Sequence, residues 1–159
     1  MSELHKNVVR VVDAGRELGI EVRPRTFPQG AKTAADAAAA IGCDVGQIIK
    51  SLIFGVDGEI VLAYVSGSNM LDEAKLAAAA GGERCERVDA DAVRVATGYP
   101  IGGVPPIGHV SPLRAFIDPD LLQYDEVWGA AGTWNDVFPI TPADLRRASG
   151  GTVIELKRG

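Results

Sequence analysis

A segment rich in glycine and proline is the part of this sequence best suited to chemistry. It runs from Gly98 to His109 and contains four glycines and three prolines. Glycine lets backbone N–H groups approach a ligand closely and proline stiffens the chain, so such a segment can hold N–H donors around a carbonyl or phosphate oxygen. The same composition is typical of a rigid connecting loop. Composition alone does not favour one interpretation over the other.

A lysine at the start of an apolar strand is a second candidate. Lys50 lies between Gln47-Ile48-Ile49 and Ser51-Leu52-Ile53-Phe54. In a pocket, its ammonium would bind a phosphate or stabilise developing negative charge. A lysine at a strand end more often extends to solvent, and Lys50 by itself favours that interpretation. A third candidate, Ala130–Asn135, has the small and polar residues that a plain hairpin turn also contains.

Several familiar catalytic motifs are absent from the sequence. It contains no GxSxG, no GxxxxGK[ST], no HExxH and no clustered Cys and His that could bind zinc. His5 and His109 are its only histidines and lie too far apart in sequence to suggest a pair of metal ligands. We therefore expect neither a metal nor another cofactor.

Interleaved helices and strands are predicted around these candidates. Asp57-Gly58 separates the apolar runs 51–56 and 59–65, which predicts a tight antiparallel hairpin. Apolar spacing predicts a first helix over 4–18, with Ser2 as its N-cap and Gly19 as its stop. The same signals predict helices over 33–42, 71–80 and 89–97, and a last one after Thr141-Pro142-Ala143-Asp144. A short helical turn is predicted at 44–47. Further strands are predicted at 21–27, where Pro24 favours a sheet edge, and at 114–117, 126–130, 137–140 and 152–156.

These elements predict the fold class. A length of 159 residues fits one domain, and no linker or repeat divides it, so we expect a single domain over 1–159. Because the tight hairpin is antiparallel, the sheet cannot be purely parallel. The expected fold is α/β of the α+β type, with a mixed sheet flanked by helices.

Net charge and the distribution of apolar residues restrict the binding partners and the cellular compartment that we expect. A net charge of −5 argues against a broad polyanion-binding surface, so any contact with nucleic acid must be local. No apolar run is long enough to span a bilayer, and residues 1–10 lack a signal core. Cys43 and Cys85 have no CxxC partner, as is typical of core residues in a reduced compartment. We expect a cytoplasmic protein without a membrane partner.

The three candidate segments, in this order, resemble the YbaK and prolyl-tRNA synthetase editing-domain family. Residues 47–54 are similar to the family's lysine-bearing strand, and 97–108 to its glycine-rich active-site loop, which is the most specific motif. Phe116-Ile117-Asp118 resembles the strand after that loop. Residues 128–132 and 140–145 resemble the C-terminal strand, turn and helix. The resemblance extends from about Leu4 to Leu156.

The resemblance implies an aminoacyl-tRNA deacylase with a curled mixed sheet and a cleft for the aminoacylated 3′ end of tRNA, with prolyl-tRNA synthetase as a candidate partner. It assigns the central role to Lys50, has the amides around Gly102 and Gly103 polarise the ester carbonyl, and places Gly132 on the facing wall. No protein nucleophile is evident, so water or a group of the substrate would attack. Substrate contacts are expected from Ser51, Pro106, Gly108, His109, Asp118, Gly132, Thr133 and Asn135.

Two departures from the family pattern leave open which amino acid the site accepts. Ala130 stands where bacterial cysteinyl-tRNA(Pro) deacylases carry a serine, and Thr133-Trp134-Asn135 differs from their basic, glycine-containing turn. Relatives acting on alanyl-, seryl- or threonyl-tRNA share the scaffold, so the fold does not select among these substrates. Two other classes stay open: a noncatalytic tRNA- or synthetase-binding module, and a sensor of small amino acids or nucleotides.

Recognition is expected to involve few phosphate contacts. Lys50 and nearby cations among Lys32, Arg84, Arg87 and Arg114 would hold the terminal CCA, and a small pocket beside Gly102 and Gly132 would admit the amino-acid side chain. Such a pocket excludes larger side chains sterically but discriminates weakly against smaller ones, because a methylene is worth only about 1–3 kcal/mol. We expect alanine, serine, threonine or cysteine to be accepted, and proline or bulky aromatics to be poor substrates.

Overall fold

The helices and strands follow in close alternation along the chain. The structure, a computed structural model, describes residues 4–27 and 33–159. The α-helices in these ranges are α1 (Lys6–Glu17), α2 (Ala34–Ile41), α3 (Glu73–Ala79), α4 (Ala90–Thr97) and α5 (Pro142–Ser149), and short 3-10 helices cover Val45–Gln47 and Pro119–Gln123. The strands are β1 (Arg25–Thr26), β2 (Ile49–Val56), β3 (Glu59–Ser66), β4 (Cys85–Arg87), β5 (Arg114–Ile117), β6 (Val127–Ala130), β7 (Asp136–Ile140) and β8 (Thr152–Val153).

The strands form two sheets. The larger has the order β4-β2-β3-β5-β8, in which β2 is antiparallel to β3 and β4 while β3, β5 and β8 run parallel. The smaller sheet, β1-β7-β6, is antiparallel. An isolated parallel bridge from Ile48 to Trp128 brings the two sheets together just before β2. The predicted mixed α/β fold is confirmed, with its strands divided between two sheets.

The tight hairpin forms as predicted. Asp57 and Gly58 both have positive φ, 49° and 89°, as a type I′ turn requires. This turn pairs Val56 with Glu59 and carries the register to Ile49 opposite Ser66. Because side chains alternate between faces, Leu62 and Tyr64 enter one core cluster. The alternate residues Val61, Ala63 and Val65 enter another, which contains Leu76.

Most predicted helix ends are confirmed. The side chains of Thr33 and Thr141 accept from backbone N–H groups at the starts of α2 and α5, and Gly42 and Gly98 end α2 and α4 in the left-handed conformation. The predicted N-cap Ser2 lies outside the described residues. His5 caps α1 instead, since its Nδ1 accepts from the N–H of Asn7 at 3.0 Å.

Two strand predictions need correction, and one strand was missed. The strand predicted at 21–27 is only Arg25–Thr26, at the edge of the smaller sheet. The strand predicted at 152–156 ends at Val153. Strand β4 was not predicted, because its residues Cys85-Glu86-Arg87 show no apolar alternation; pairing with the end of β2 determines its conformation. Within the described residues, no helix has the length and apolar character needed to cross a bilayer.

The tyrosine opposite Ser51 provides a test of core packing. The Tyr64 side chain is fully buried, and its hydroxyl has no hydrogen-bond partner among the described residues. Removing an unpaired buried hydroxyl avoids its desolvation penalty. We expect Tyr64→Phe to leave the free energy of unfolding unchanged or to raise it by up to about 1 kcal/mol. Urea denaturation would measure this difference.

Tyr99→Phe is the matched control. Tyr99 is equally buried, but its hydroxyl donates to the carbonyl of Gly108 at 3.3 Å. Its removal should lower the free energy of unfolding by about 1 kcal/mol. Equal losses in the two variants would contradict the assignment of Tyr64 as the unpaired tyrosine.

Candidate active site

The candidate site is a cavity at the open edge of β2. Strand β4 pairs only with Phe54, Gly55 and Val56, and β6 meets the start of β2 only through the isolated bridge from Ile48 to Trp128. Residues 50–53 therefore have no paired strand on that side within the described residues. A cavity of about 570 Å³ lies there. It is lined by β2, by the start of α2, by β6 and by parts of two loops, including Lys50, Ser51, Gly102, Ala130, Thr133 and Trp134.

Lys50 is partly buried within this cavity. Its Nζ donates to the backbone carbonyl of Asn69. An ammonium has three N–H groups, and the other two have no acceptor among the described residues. Burial lowers the pKa of Lys50, and the negative charge of Asp118 acts in the opposite direction. The side chain therefore presents a partly desolvated cation with free donors to the cavity, rather than one extending fully into solvent.

A buried carboxylate holds the partner of Lys50 in place. Asp118 is fully buried and follows β5, where it accepts hydrogen bonds from Asn69 Nδ2 at 2.8 Å, the N–H of Ser66 at 3.1 Å and the N–H of Asp120 at 2.9 Å. Asn69 Nδ2 also donates to Asp120 at 2.8 Å. The position of the Asn69 carbonyl, and with it that of the Lys50 ammonium, is thereby fixed to the sheet.

Gly102 and Gly103 differ in the use of their amides. The N–H of Gly103 donates to the carbonyl of Pro100 at 2.9 Å, which closes a β-turn with Gly102 at its third position and φ of 86°. Of the two amides predicted to polarise a substrate, that of Gly103 therefore already has an acceptor within the protein. The exposed Gly102 donates to no atom in the described part of the chain, so its amide is available to a ligand.

The glycine-rich turn packs directly on the turn after β6. A Cβ on Gly103 would lie 2.9 Å from the backbone carbonyl group of Gly132, and one on Gly102 would lie 2.8 Å from the Trp134 indole. Trp134 Nε1 donates to the carbonyl of Ile101. The two turns thus form one wall of the cavity through backbone contacts that need glycine.

Only some of the predicted substrate-binding residues reach this cavity. Ser51 and Thr133 line it, and the Ser51 hydroxyl has no partner among the described residues. Because the N–H of Asp57 donates toward β4 and backbone groups alternate along a strand, Ser51 also directs its N–H and C=O to the open edge. Ala130, the departure from the cysteine-specific pattern, lines the cavity as well.

Four predicted contacts lie behind the wall rather than in the cavity. Pro106 is buried against Gly129, and Gly108 has a positive φ beside Ala14. His109 is partly buried with Nε2 2.6 Å from the carbonyl of Pro105, and burial lowers its pKa against the effect of that contact. Asp118 uses its carboxylate within the protein. These residues support the loop and Asn69, and none of the four lines the cavity that contains Lys50.

Gly132 and Asn135 face a second cavity on the other side of the same turn, with a volume of about 550 Å³. The Gly132 carbonyl accepts from Asn7 Nδ2 of α1 at 3.0 Å. Asn135 Nδ2 donates to the carbonyl of Phe27 at 3.1 Å. Both predicted residues therefore position the turn from behind, and neither lines the cavity that contains Lys50.

Three of the four predicted phosphate-binding cations lie far along the sheet from Lys50. Arg84 and Arg87 flank the far end of β2, on the order of 20 Å along the strand from Lys50. Arg114 donates to Glu59 at 2.8 and 3.1 Å at that same end. Lys32 lies outside the described residues. Sequence position alone does not reveal this separation, because the separation depends on which half of β2 each cation lies beside.

Two contributors were missed from the sequence. Asn69 sits in a short polar segment to which the sequence assigned no role, because its role depends on long-range contacts to Asp118. The start of α2 lines the cavity, and a Cβ on Gly67 would lie 2.9 Å from that of Ala34. The alanine-rich composition of α2 was the available signal, since small side chains allow such close packing. In residues 4–27 and 33–159, no cluster of His, Cys, Asp or Glu could bind a metal ion.

Comparison with known proteins identifies related sequences. The family model described as "Aminoacyl-tRNA editing domain" matches residues 28–148. A protein of Enterococcus faecalis named "Putative Cys-tRNA(Pro)/Cys-tRNA(Cys) deacylase EbsC" is 27% identical over 125 residues, 78% of this chain and 76% of its own. A proline–tRNA ligase of Nitratidesulfovibrio vulgaris is 35% identical over 99 residues, which cover 62% of this chain but only 17% of the ligase.

A solved structure agrees over the whole fold. The crystal structure of "a putative trans-editing enzyme for prolyl tRNA synthetase" is 41% identical in sequence and superposes with a TM-score of 0.93. The match covers 99% of this chain and 100% of the other. The similarity therefore includes both sheets and the two turns that form the cavity wall.

The contact between the two turns predicts a selective effect of one added methyl group. Gly103→Ala would place Cβ 2.9 Å from backbone atoms of Gly132, which cannot rotate away. We expect a loss of about 1–3 kcal/mol in the free energy of unfolding. In Gly55→Ala, the matched control on β2, the nearest atoms lie 3.9 Å away. Urea denaturation of both variants gives the comparison, and an equally mild effect at Gly103 would contradict the close packing of the turns.

Proposed function

The chain belongs to the aminoacyl-tRNA editing domain family, and on that premise we propose that it is a trans-editing deacylase. The reaction is hydrolysis of the ester between a small amino acid and the 3′ end of a mischarged tRNA, with tRNA(Pro) as the first candidate. The observation that carries the proposal is the partly buried Lys50 ammonium, anchored at Asn69 in a cavity whose opposite wall is the glycine-rich turn.

The proposed chemistry is electrostatic. Water, or a hydroxyl of the substrate itself, attacks the ester carbonyl, whose oxygen gains negative charge. Free N–H groups of Lys50 and the amide of Gly102 are the donors available in the cavity to stabilise that charge. The bond between the carbonyl carbon and the ribose oxygen then breaks, and the ribose oxygen takes up the proton that the attacking group gives up. Attack by water releases the amino acid and tRNA directly, whereas attack by a substrate hydroxyl gives an internal ester that water must then hydrolyse. Preorganised donors of this kind are typically worth two to three orders of magnitude each, as a rough guide.

Ser51 and Thr133 are proposed as substrate-binding residues. The Ser51 hydroxyl is unpaired, and its backbone groups face the open strand edge, so it can bind the amino group or hydroxyls of the substrate. Thr133 Oγ1 donates to Asp136 and accepts from the N–H of Asn135 at 3.1 Å, which leaves one lone pair to accept a hydrogen bond from the substrate. Ala130 in place of a serine leaves this part of the cavity without a hydroxyl, which favours alanyl, seryl or threonyl esters at least as much as cysteinyl ones.

Lys50→Ala tests the mechanism. We expect kcat/KM for a mischarged tRNA to fall by about a hundredfold or more, while the free energy of unfolding changes by no more than about 1 kcal/mol. The matched control is Lys75→Ala, because Lys75 is also partly exposed and its Nζ donates to the backbone carbonyl of Lys157 at 2.6 Å. The control should retain full activity. Equal activity in both variants would remove Lys50 from the mechanism.

A panel of esters on one tRNA tests the substrate class and the alternatives. We expect alanyl, seryl, threonyl and cysteinyl esters to be hydrolysed, and prolyl and phenylalanyl esters to be hydrolysed poorly. A noncatalytic module would bind charged tRNA without hydrolysing any ester. A small-molecule sensor would bind free amino acids or nucleotides and leave every ester intact. Efficient cleavage of the phenylalanyl ester would contradict a site restricted to small side chains.

A further inference from the structure

We propose that the second cavity binds phosphate groups of the RNA strand whose 3′ end occupies the first. This inference rests on the proposed function and extends it to a site that the family resemblance did not assign. The two cavities share Thr133 and Trp134, so only the turn after β6 separates them. A strand reaching Lys50 can pass over this turn and contact both cavities.

The charges lining the second cavity favour an anion. Lys6 and Arg10 of α1 and Arg94 of α4 line it, all three exposed. None forms an ion pair with a carboxylate in residues 4–27 and 33–159, although Arg16, Arg84 and Arg114 each do elsewhere. Three cations without carboxylate partners therefore converge on one concave surface of a chain with net charge −5.

The acid in this lining is not paired with any of those cations. Asp136 is buried, and its two carboxylate oxygens accept from Thr26 and Thr133. The first turn of α1 begins with Lys6 and contains no acidic residue. The partial positive charge at a helix N-terminus would favour an acidic residue there. The placement of Lys6 gives up a small stabilisation of α1 and adds positive charge to the cavity.

An exposed aromatic ring beside the cations favours single-stranded RNA over a free anion. Trp134 is 63% exposed between the two cavities, and its orientation is fixed by the hydrogen bond to Ile101. Proteins that bind single strands combine a basic groove with aromatic side chains on which bases stack. Lys6, Arg94 and Trp134 provide this combination next to the cavity that contains Lys50.

The test uses a double variant and a matched control. Lys6→Ala/Arg94→Ala removes two of the proposed contacts but retains Arg10, which also packs on the Tyr99 ring. Arg84→Ala/Arg87→Ala makes the same change in net charge at the far end of β2. Each protein is assayed on a mischarged tRNA and on the matching aminoacyl ester of adenosine, which has no phosphate. Binding of uncharged tRNA is measured across a salt series, with inorganic phosphate as a competitor.

We expect Lys6→Ala/Arg94→Ala to lower kcat/KM for the tRNA substrate by about tenfold or more, and by much less for the adenosine ester. The slope of log affinity against log salt should become shallower by roughly 1.4, because each of the two lost single-strand phosphate contacts contributes about 0.7. The control should match the wild type in both measurements. Dilute inorganic phosphate should not displace tRNA.

Several outcomes would overturn this inference. These are equal losses on both substrates, no loss on either, an equal effect of the control, or displacement of tRNA by dilute phosphate. Failure of the proposed function is distinguishable, because it would appear as a wild-type protein that hydrolyses no ester. In that case the salt dependence of tRNA binding by the two double variants still tests the second cavity.

Discussion

The buried carboxylate of Asp118 is the interaction on which the candidate site depends. A charge without solvent must be compensated by hydrogen bonds, and here Ser66, Asn69 and Asp120 donate them. Their donor groups belong to the end of β3, the segment after it and the 3-10 helix that begins at Pro119. Satisfying one carboxylate therefore joins the parallel β3–β5 pair to the Asn69 segment, and the Asn69 carbonyl then holds Lys50. The same charge partly offsets the effect of burial on the pKa of Lys50.

The opposite wall is built on a different physical basis. Gly103 lies against Gly132, and Gly67 lies against Val45 and Ala34, with distances that leave no room for a Cβ. Backbone packed on backbone has few degrees of freedom, so the shape of the cavity does not depend on side-chain rotamers in these places. This rigidity suits the proposed reaction, in which the site would orient an ester and distinguish small side chains, because both tasks fail when the wall can move.

Local signals in the sequence were sufficient for much of the fold. The Asp57-Gly58 hairpin, the Thr33 and Thr141 caps and the glycine-rich loop depend on neighbouring residues, and each was predicted. Features that depend on distant partners were not. Strand β4 forms because it meets β2, and Asn69 is important because Asp118 folds onto it. In the loop, composition indicated available amides, but which one is free depends on a single turn that uses the N–H of Gly103.

The distribution of charge explains how an acidic chain can suit an RNA substrate. Net charge governs long-range attraction, which salt screens over about 10 Å, whereas phosphate binding is decided by cations at contact distance. Arg84 and Arg114 are adjacent to carboxylates and have little left to offer a phosphate. Lys6 and Arg94 have no such partner in the described residues. They line the second cavity, which the turn after β6 separates from the cavity of Lys50. On the proposed function, a protein charged in this way would attract RNA weakly at a distance and bind it at one place. Selection would then depend on the fit of the aminoacyl group rather than on the affinity for RNA in general.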